Sequence, residues 1–391
     1  MQKKSLMILA ILLMQVIQSS LFAQDSEKVT VFESGKEGYK SYRIPAIIQA
    51  ENGDILAFAE GRVAGSADFG HVNIVMKRST DKGKTWGKLT VVASNQKLQA
   101  GNPAPVLDQS DPKYPDGRLF LFYNTGNTDE GKMRHAMGIR GVWYKTSTDG
   151  GRSWSAAVDI TDQTSKILRP AVNPAWRHPE DWRSYANTPG HGIQIEKGVY
   201  KGRIYIAANH SEGKPKRDYT DYVAHGFYTD DHGATFHLSD NNPIKGSNES
   251  TAAELSGGRL MMNSRNQKGD IRQRIVAISQ NGGQHWDTAY FDPQLPDPVC
   301  EGSILTLKRG SHNNILAFSN DASQQSRDSM TLRISFDDGN TWARSYLIAP
   351  RATAYSDIVG IGKKHVGVLY EADGYQKIIF TKINWKKRPK N

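Results

Sequence analysis

The chain has 391 residues, of which 38% are hydrophobic, 36 are glycine and only one is cysteine, with a mean hydropathy of −0.58. Such a length exceeds an ordinary small domain and suits one large turn-rich all-β unit. The lone Cys300 excludes an internal disulfide framework and a zinc-finger arrangement, and the formal net charge of +10 favours anionic ligands.

At the start, Lys3 and Lys4 precede an apolar run from Leu6 to Ile17, and Ser19, Ser20 and Ala23 follow. This pattern predicts a secretory signal peptide over residues 1–23, hence a secreted or periplasmic protein. An apolar run of about a dozen residues is too short to span a bilayer. Removing it takes away two lysines and no acid, which leaves +8. Basic runs interleaved with aromatics are absent, apart from the tail Lys386-Lys387-Arg388, so no nucleic-acid partner is expected.

Tyr42-Arg43-Ile44-Pro45-Ala46-Ile47-Ile48 opens the folded part. Pro45 predicts a strand start or edge, which places Arg43 at a sheet end. Asn52-Gly53-Asp54 is a turn, and Ile55 to Ala59 returns as a strand, followed by Glu60-Gly61-Arg62 and a loop holding Asp68. Further strands are expected at Val72 to Lys77, Leu119 to Tyr123, Ile204 to Ala208, Arg259 to Asn263, Arg274 to Ile278, Met330 to Ile334, His365 to Tyr370 and Lys377 to Phe380. Residues 159–192, rich in Pro and Trp, read as a long irregular segment of the kind that forms functional loops. No strong amphipathic helix and no linker interrupts the chain, so one domain is expected over residues 24–391.

One eight-residue pattern recurs. Ser147 to Trp154 reads Ser-x-Asp-x-Gly-x-(Ser/Thr)-Trp, and Ser79 to Trp86 and Ser335 to Trp342 fit the same template. Thr229 to Phe236 and Ser279 to Trp286 are looser copies, with Asn281 and His285 replacing the Asp and the Thr in the last. The aromatic ends fall at 86, 154, 236, 286 and 342, a spacing typical of a repeated sheet unit. Within each copy, Ser and Asp can bind nearby backbone N–H groups, Gly supplies a positive φ, and the aromatic ring anchors the turn.

These repeats resemble the Asp-box of sialidases and some other β-propeller proteins. Together with Arg43-Ile44-Pro45 they make nearly the whole mature chain similar to an exo-sialidase. The resemblance implies an all-β, six-bladed β-propeller that removes terminal sialic acid from glycoproteins, glycolipids and oligosaccharides, with retention, through a covalent tyrosyl intermediate. It also implies particular residues. Arg43 matches the first arginine of a triad for the substrate carboxylate, Arg274 the second and Arg327 the third, with Arg265, Arg272 and Arg333 as competitors nearby. Arg62 matches a further substrate-facing arginine. Tyr355, in Ala354-Tyr355-Ser356-Asp357, matches the nucleophile, Glu254 the carboxylate that takes its proton, and Asp68 the acid/base. Glu301 stands where many relatives carry Gln, and its bearing on Arg274 is open.

The residue types suit that chemistry. Arg recognises a carboxylate through a planar, permanently charged fork. A carboxylate nucleophile would be repelled by the substrate's own carboxylate. A neutral phenol is not, although its ordinary pKa near 10 demands an adjacent base. The leaving oxygen needs a proton donor, the part assigned to Asp68. The alternatives are a trans-sialidase, a non-catalytic sialoglycan-binding propeller, and an unrelated Asp-box hydrolase. No metal and no cofactor is expected, and the enzyme is expected to be a monomer that binds sialylated glycans in its own pocket.

Overall fold

A computed structural model describes residues 27–166 and 180–389. The expected signal peptide and residues 167–179 of the Pro/Trp-rich segment lie outside these residues. The rest of that segment is less irregular than expected: Trp182–Asn187 is a strand paired with Ile204–Glu212, and Trp182 is buried.

The described chain is almost entirely antiparallel sheet. Its helices are short: Glu130–Arg134, capped by the Asp129 side chain, Thr161–Thr164, and a 3-10 turn at Ser256–Gly258. Middle strands such as Ile55–Arg62 are buried along their whole length, because each sheet is covered by a neighbour on both faces. The strands Ser41–Gln49, Gln99–Asp108, Ser247–Glu254, Gly302–Lys308 and Ser356–Ile361 lie innermost around the axis of a propeller, with the sheet of Ile204–Glu212 between the second and the third of them.

The expectation of six blades is corrected by the strand pairing. Among the described residues there are four blade-sized sheets, three of four strands and one of five, and the remaining strands form one eight-stranded sheet. The cause is a parallel pairing of Val72 with Gln99, which joins Val72–Ser79 to Gln99–Asp108 and makes one sheet of strands that the repeat spacing would have divided.

Each repeated box is the hairpin between the third and fourth strands of a four-strand unit. In all five, the Ser or Thr hydroxyl at its head accepts the N–H of the Gly four residues on, at 2.8–2.9 Å. The Asp or Asn carbonyl-type oxygen accepts the N–H of the residue four beyond it, at 2.9 Å in every copy. In the first box, the Thr85 N–H and hydroxyl hold the Asp81 carboxyl down to about 2. The sheet of Ser356–Ile361, His365–Ala372 and Lys377–Asn384 has no box. Its fourth strand is Lys28–Glu33, from the other end of the chain, so no hairpin joins the two.

The boxes also tie sheets together. Trp86 packs edge-on against Phe380 of the adjoining sheet at 5.4 Å between centroids, and Trp154 packs edge-on against Phe58, in the neighbouring four-strand unit of its own eight-stranded sheet, at 6.2 Å. Gly83 has φ +88°, and a Cβ there would meet Phe380 Cε1 at 2.0 Å. Gly83→Ala is therefore expected to cost on the order of 3 kcal/mol, from left-handed strain plus overpacking. Gly360, with an ordinary φ and open space around it, is expected to accept Ala with a change of no more than about 1 kcal/mol. Urea unfolding of the two variants checks the contrast.

Candidate active site

The starts of the innermost strands, and the ends of the strands that run back beside them, meet at one end of the axis. There a cleft of about 290 Å³ is lined by Arg43, Arg62, Asp68, Glu249, Arg265, Arg327 and Tyr355, among others.

Arg43 is aimed by backbone geometry. Pro45 does not start the strand, which begins at Ser41; it sits at a bulge that breaks the register between Arg43 and Ala46. Ile44 adopts φ +58°, and its N–H donates to Glu371 Oε1 at 2.9 Å. The same carboxylate oxygen holds Arg43 Nε at 2.6 Å. Burial opposes the Arg43 charge, but Glu371 more than offsets it and holds the guanidinium well above its ordinary value. The next sheet segment repeats the device. Asn102, before Pro103, has φ +56°, and its N–H donates to Glu60 Oε1 at 2.9 Å. Glu60 Oε2 in turn binds Arg62 Nη2 at 2.6 Å and Nε at 3.0 Å.

Arg62 is buried, and its Nη1 lies 2.8 Å from Asp68 Oδ1. Asp68 belongs to a surface loop and has a side chain 76% exposed, so this contact is what fixes its direction. The Asp68 carbonyl also accepts from Gln99 Nε2 at 2.8 Å.

Tyr355 immediately precedes the strand Ser356–Ile361 and is 6% exposed. Its hydroxyl donates to Glu249 Oε1 at 2.5 Å and accepts from Arg265 Nη1 at 2.9 Å. Arg265 Nη1 also binds Glu249 Oε2 at 2.6 Å. Burial, and next the charge of Glu249, push the phenol well above its ordinary value, so it is neutral at rest with a base already in contact. Arg327 donates to the Val299 carbonyl at 3.0 Å and the Tyr375 hydroxyl at 3.3 Å. Among the described residues no carboxylate lies within ion-pair distance of it, which leaves its charge to a ligand.

Arg43, Arg62, Asp68, Arg327 and Tyr355 thus share one cleft, as their sequence motifs imply. Glu254 and Arg274 do not reach it. Glu254 ends the strand Ser247–Glu254, five residues beyond Glu249 and thus about 16 Å away at roughly 3.3 Å per residue. Its carboxylate binds Arg309 Nε at 2.5 Å and the N–H groups of Lys197 and Glu196 at 2.9 and 3.1 Å. Arg274 is wholly buried behind the cleft, held by Asn263 Oδ1 at 2.7 Å, the Cys300 carbonyl at 2.5 Å and Asp297 at 3.3 Å. The positions expected of them are taken by Glu249 and Arg265. Glu60 and Glu371, which orient two arginines, were also missed; each is an acid near the cleft end of an otherwise apolar strand.

A model of the BNR repeat-like domain matches residues 53–368. The sialidase of Micromonospora viridifaciens is 33% identical over 356 residues, covering 86% of this chain and 51% of its own length. The exo-alpha-sialidase of Arthroderma benhamiae is 30% identical over 369 residues, covering 87% of this chain and 80% of its own. The chain therefore spans about half the length of the first relative and most of the second. Among solved structures, the Hadza microbial sialidase Hz136 superposes with a TM-score of 0.75 at 24% identity, covering 92% of this chain and 68% of that one. The intramolecular trans-sialidase of Ruminococcus gnavus does so with 0.73 at 16%, covering 94% and 98%. Both share the fold. On the match over residues 53–368 and the identity to the two sialidases, this chain belongs to the exo-alpha-sialidase family of glycoside hydrolases.

Proposed function

We propose that this protein is a secreted exo-alpha-sialidase that hydrolyses terminal sialic acid from glycoconjugates with retention of configuration. The observation that carries the reading is the Tyr355 hydroxyl, in contact with both Glu249 and Arg265 and facing a cleft that also holds Arg43, Arg327 and Asp68.

Arg43, Arg265 and Arg327 receive the carboxylate on the anomeric carbon. The Tyr355 oxygen attacks that carbon while its proton passes to Glu249, so no net charge is created at the nucleophile as the bond forms. The bond to the aglycone breaks, and Asp68 protonates the departing oxygen. In the second half, Asp68 takes a proton from water, the water oxygen bonds to the anomeric carbon, and Tyr355 leaves with the proton returned by Glu249. Sialidases with a tyrosine nucleophile are the known departure from the two-carboxylate pattern of glycosidases.

The test is release of 4-methylumbelliferone from its α-sialoside, with the product followed by proton NMR. Free α-sialic acid as the first product is the expected result. Free β-anomer first would overturn retention, an anhydro-sugar or a sialylated acceptor would replace hydrolysis by transfer, and no turnover with binding retained would leave a glycan-binding propeller.

A further inference from the structure

Glu301 lies directly behind the nucleophile and is 1% exposed. Its Oε2 accepts the N–H of Ser356, the residue after Tyr355, at 2.9 Å, while Oε1 has no partner. No cation lies within ion-pair distance of it among the described residues. The charged groups around it come from three other strands or their flanks. Asp357, on the strand of Ser356, is buried and saturated with donors: the Ile47 and Ile358 N–H groups, the Ser303 hydroxyl and His191 Nδ1. Glu249 faces it from Ser247–Glu254, already engaged by Tyr355 and Arg265. Arg274 faces it from Gln273–Ser279, but its guanidinium is spent on Asn263, Asp297 and the Cys300 carbonyl. A buried carboxylate with one donor, two acidic neighbours and no free cation is a costly arrangement; the neutral acid removes that charge and leaves only its O–H, on Oε1, without an acceptor, which is the smaller cost.

We propose that Glu301 serves as a neutral, protonated carboxyl whose carbonyl oxygen grips the Ser356 N–H and so positions Tyr355 against Glu249. It is a positioning residue, and its part in turnover rests on the sialidase reading above. Burial, opposed by the Ser356 N–H and reinforced by Asp357, raises it well above the carboxylate range, in line with this geometry. Its ionisation would place an uncompensated charge beneath the Tyr355–Glu249 pair and loosen the strand that carries the nucleophile.

The sign for stability follows. Unfolded, Glu301 releases its proton near pH 4.3; folded, it retains it. The unfolded chain then binds fewer protons, so this residue makes stability fall as pH rises above about 4.3. Urea unfolding of wild type and Glu301→Gln at pH 4, 6 and 8 is the first arm and needs no activity. A wild-type midpoint that falls progressively relative to the Gln variant is expected; a constant gap would overturn the proposal. In the second arm, turnover of the α-sialoside is followed from pH 5 to 9. Glu301→Gln should retain most of kcat with a flatter alkaline limb, and Glu301→Leu should lose about tenfold or more in kcat at little change in KM. Equal losses in the two variants, or no loss in the Leu variant, would overturn the positioning role. If even wild type fails to cleave, the sialidase reading fails, while the unfolding arm still decides the state of Glu301.

Discussion

Glu249→Gln is expected to lower kcat on an α-sialoside by about 10²–10⁴-fold, the range for a lost general base, while Glu254→Gln leaves it within a few-fold. The argument is positional. Glu249 Oε1 is 2.5 Å from the Tyr355 hydroxyl, and no other carboxylate is within hydrogen-bond reach of that oxygen among the described residues. A glutamine can still accept the phenolic hydrogen bond but cannot take the proton, so the buried phenol is left without a base in contact. Substrate affinity should change much less, because Arg265 remains in place. Glu254→Gln acts elsewhere: it weakens the contact with Arg309, and its cost should appear in unfolding rather than turnover. Steady-state kinetics on the two variants side by side decides the matter. A Glu254 variant as slow as the Glu249 variant would contradict the site geometry. Tyr355→Phe should match or exceed the Glu249→Gln loss, since it removes the reacting oxygen.

The second large effect separates two arginines. Arg274→Met is expected to destabilise the fold by about 3–5 kcal/mol, because Asp297 would be left buried without its ionic partner. Arg265→Lys is expected instead to cut kcat/KM by roughly 10- to 150-fold, the equivalent of about 1.5–3 kcal/mol for lost hydrogen bonds to charged groups. A lysine keeps the charge but loses the guanidinium whose Nη1 reaches both Glu249 and Tyr355 and whose planar face suits a substrate carboxylate. Unfolding midpoints and kinetics of both variants test the division. An Arg274 variant of wild-type stability with selectively weakened substrate binding would reverse the assignment.

The contrast between these pairs shows what could be read from sequence. The boxes were legible because their hydrogen bonds close over four residues, so residue type and spacing contain the whole structure. Arg43, Asp68, Arg327 and Tyr355 were placed by local motifs. Glu254 and Arg274 went astray for a non-local reason. Glu249 and Glu254 lie on one strand, and only the direction of that strand relative to the axis tells which of them meets the cleft. A physical rule would have chosen correctly: Arg43 and Tyr355 lie at or near the starts of innermost strands, so the acid near the start of Ser247–Glu254 is the one that joins them. Arg274 also lies near the start of a strand, Gln273–Ser279, and its complete burial depends on Asn263, Asp297 and Cys300 arriving together, which spacing does not reveal. The merger of strands across Val72 and Gln99 was equally invisible, because it is a single pairing outside the repeat.

The pairing of Lys28–Glu33 with Lys377–Asn384 has a consequence for synthesis. A ribosome delivers Arg43 early and Tyr355 more than three hundred residues later, and the last sheet cannot be completed until the strand after Tyr355 has its neighbours. The sheet that follows Tyr355 is therefore closed only when the two ends of the described chain find each other, a long-range contact of the kind that makes folding slow.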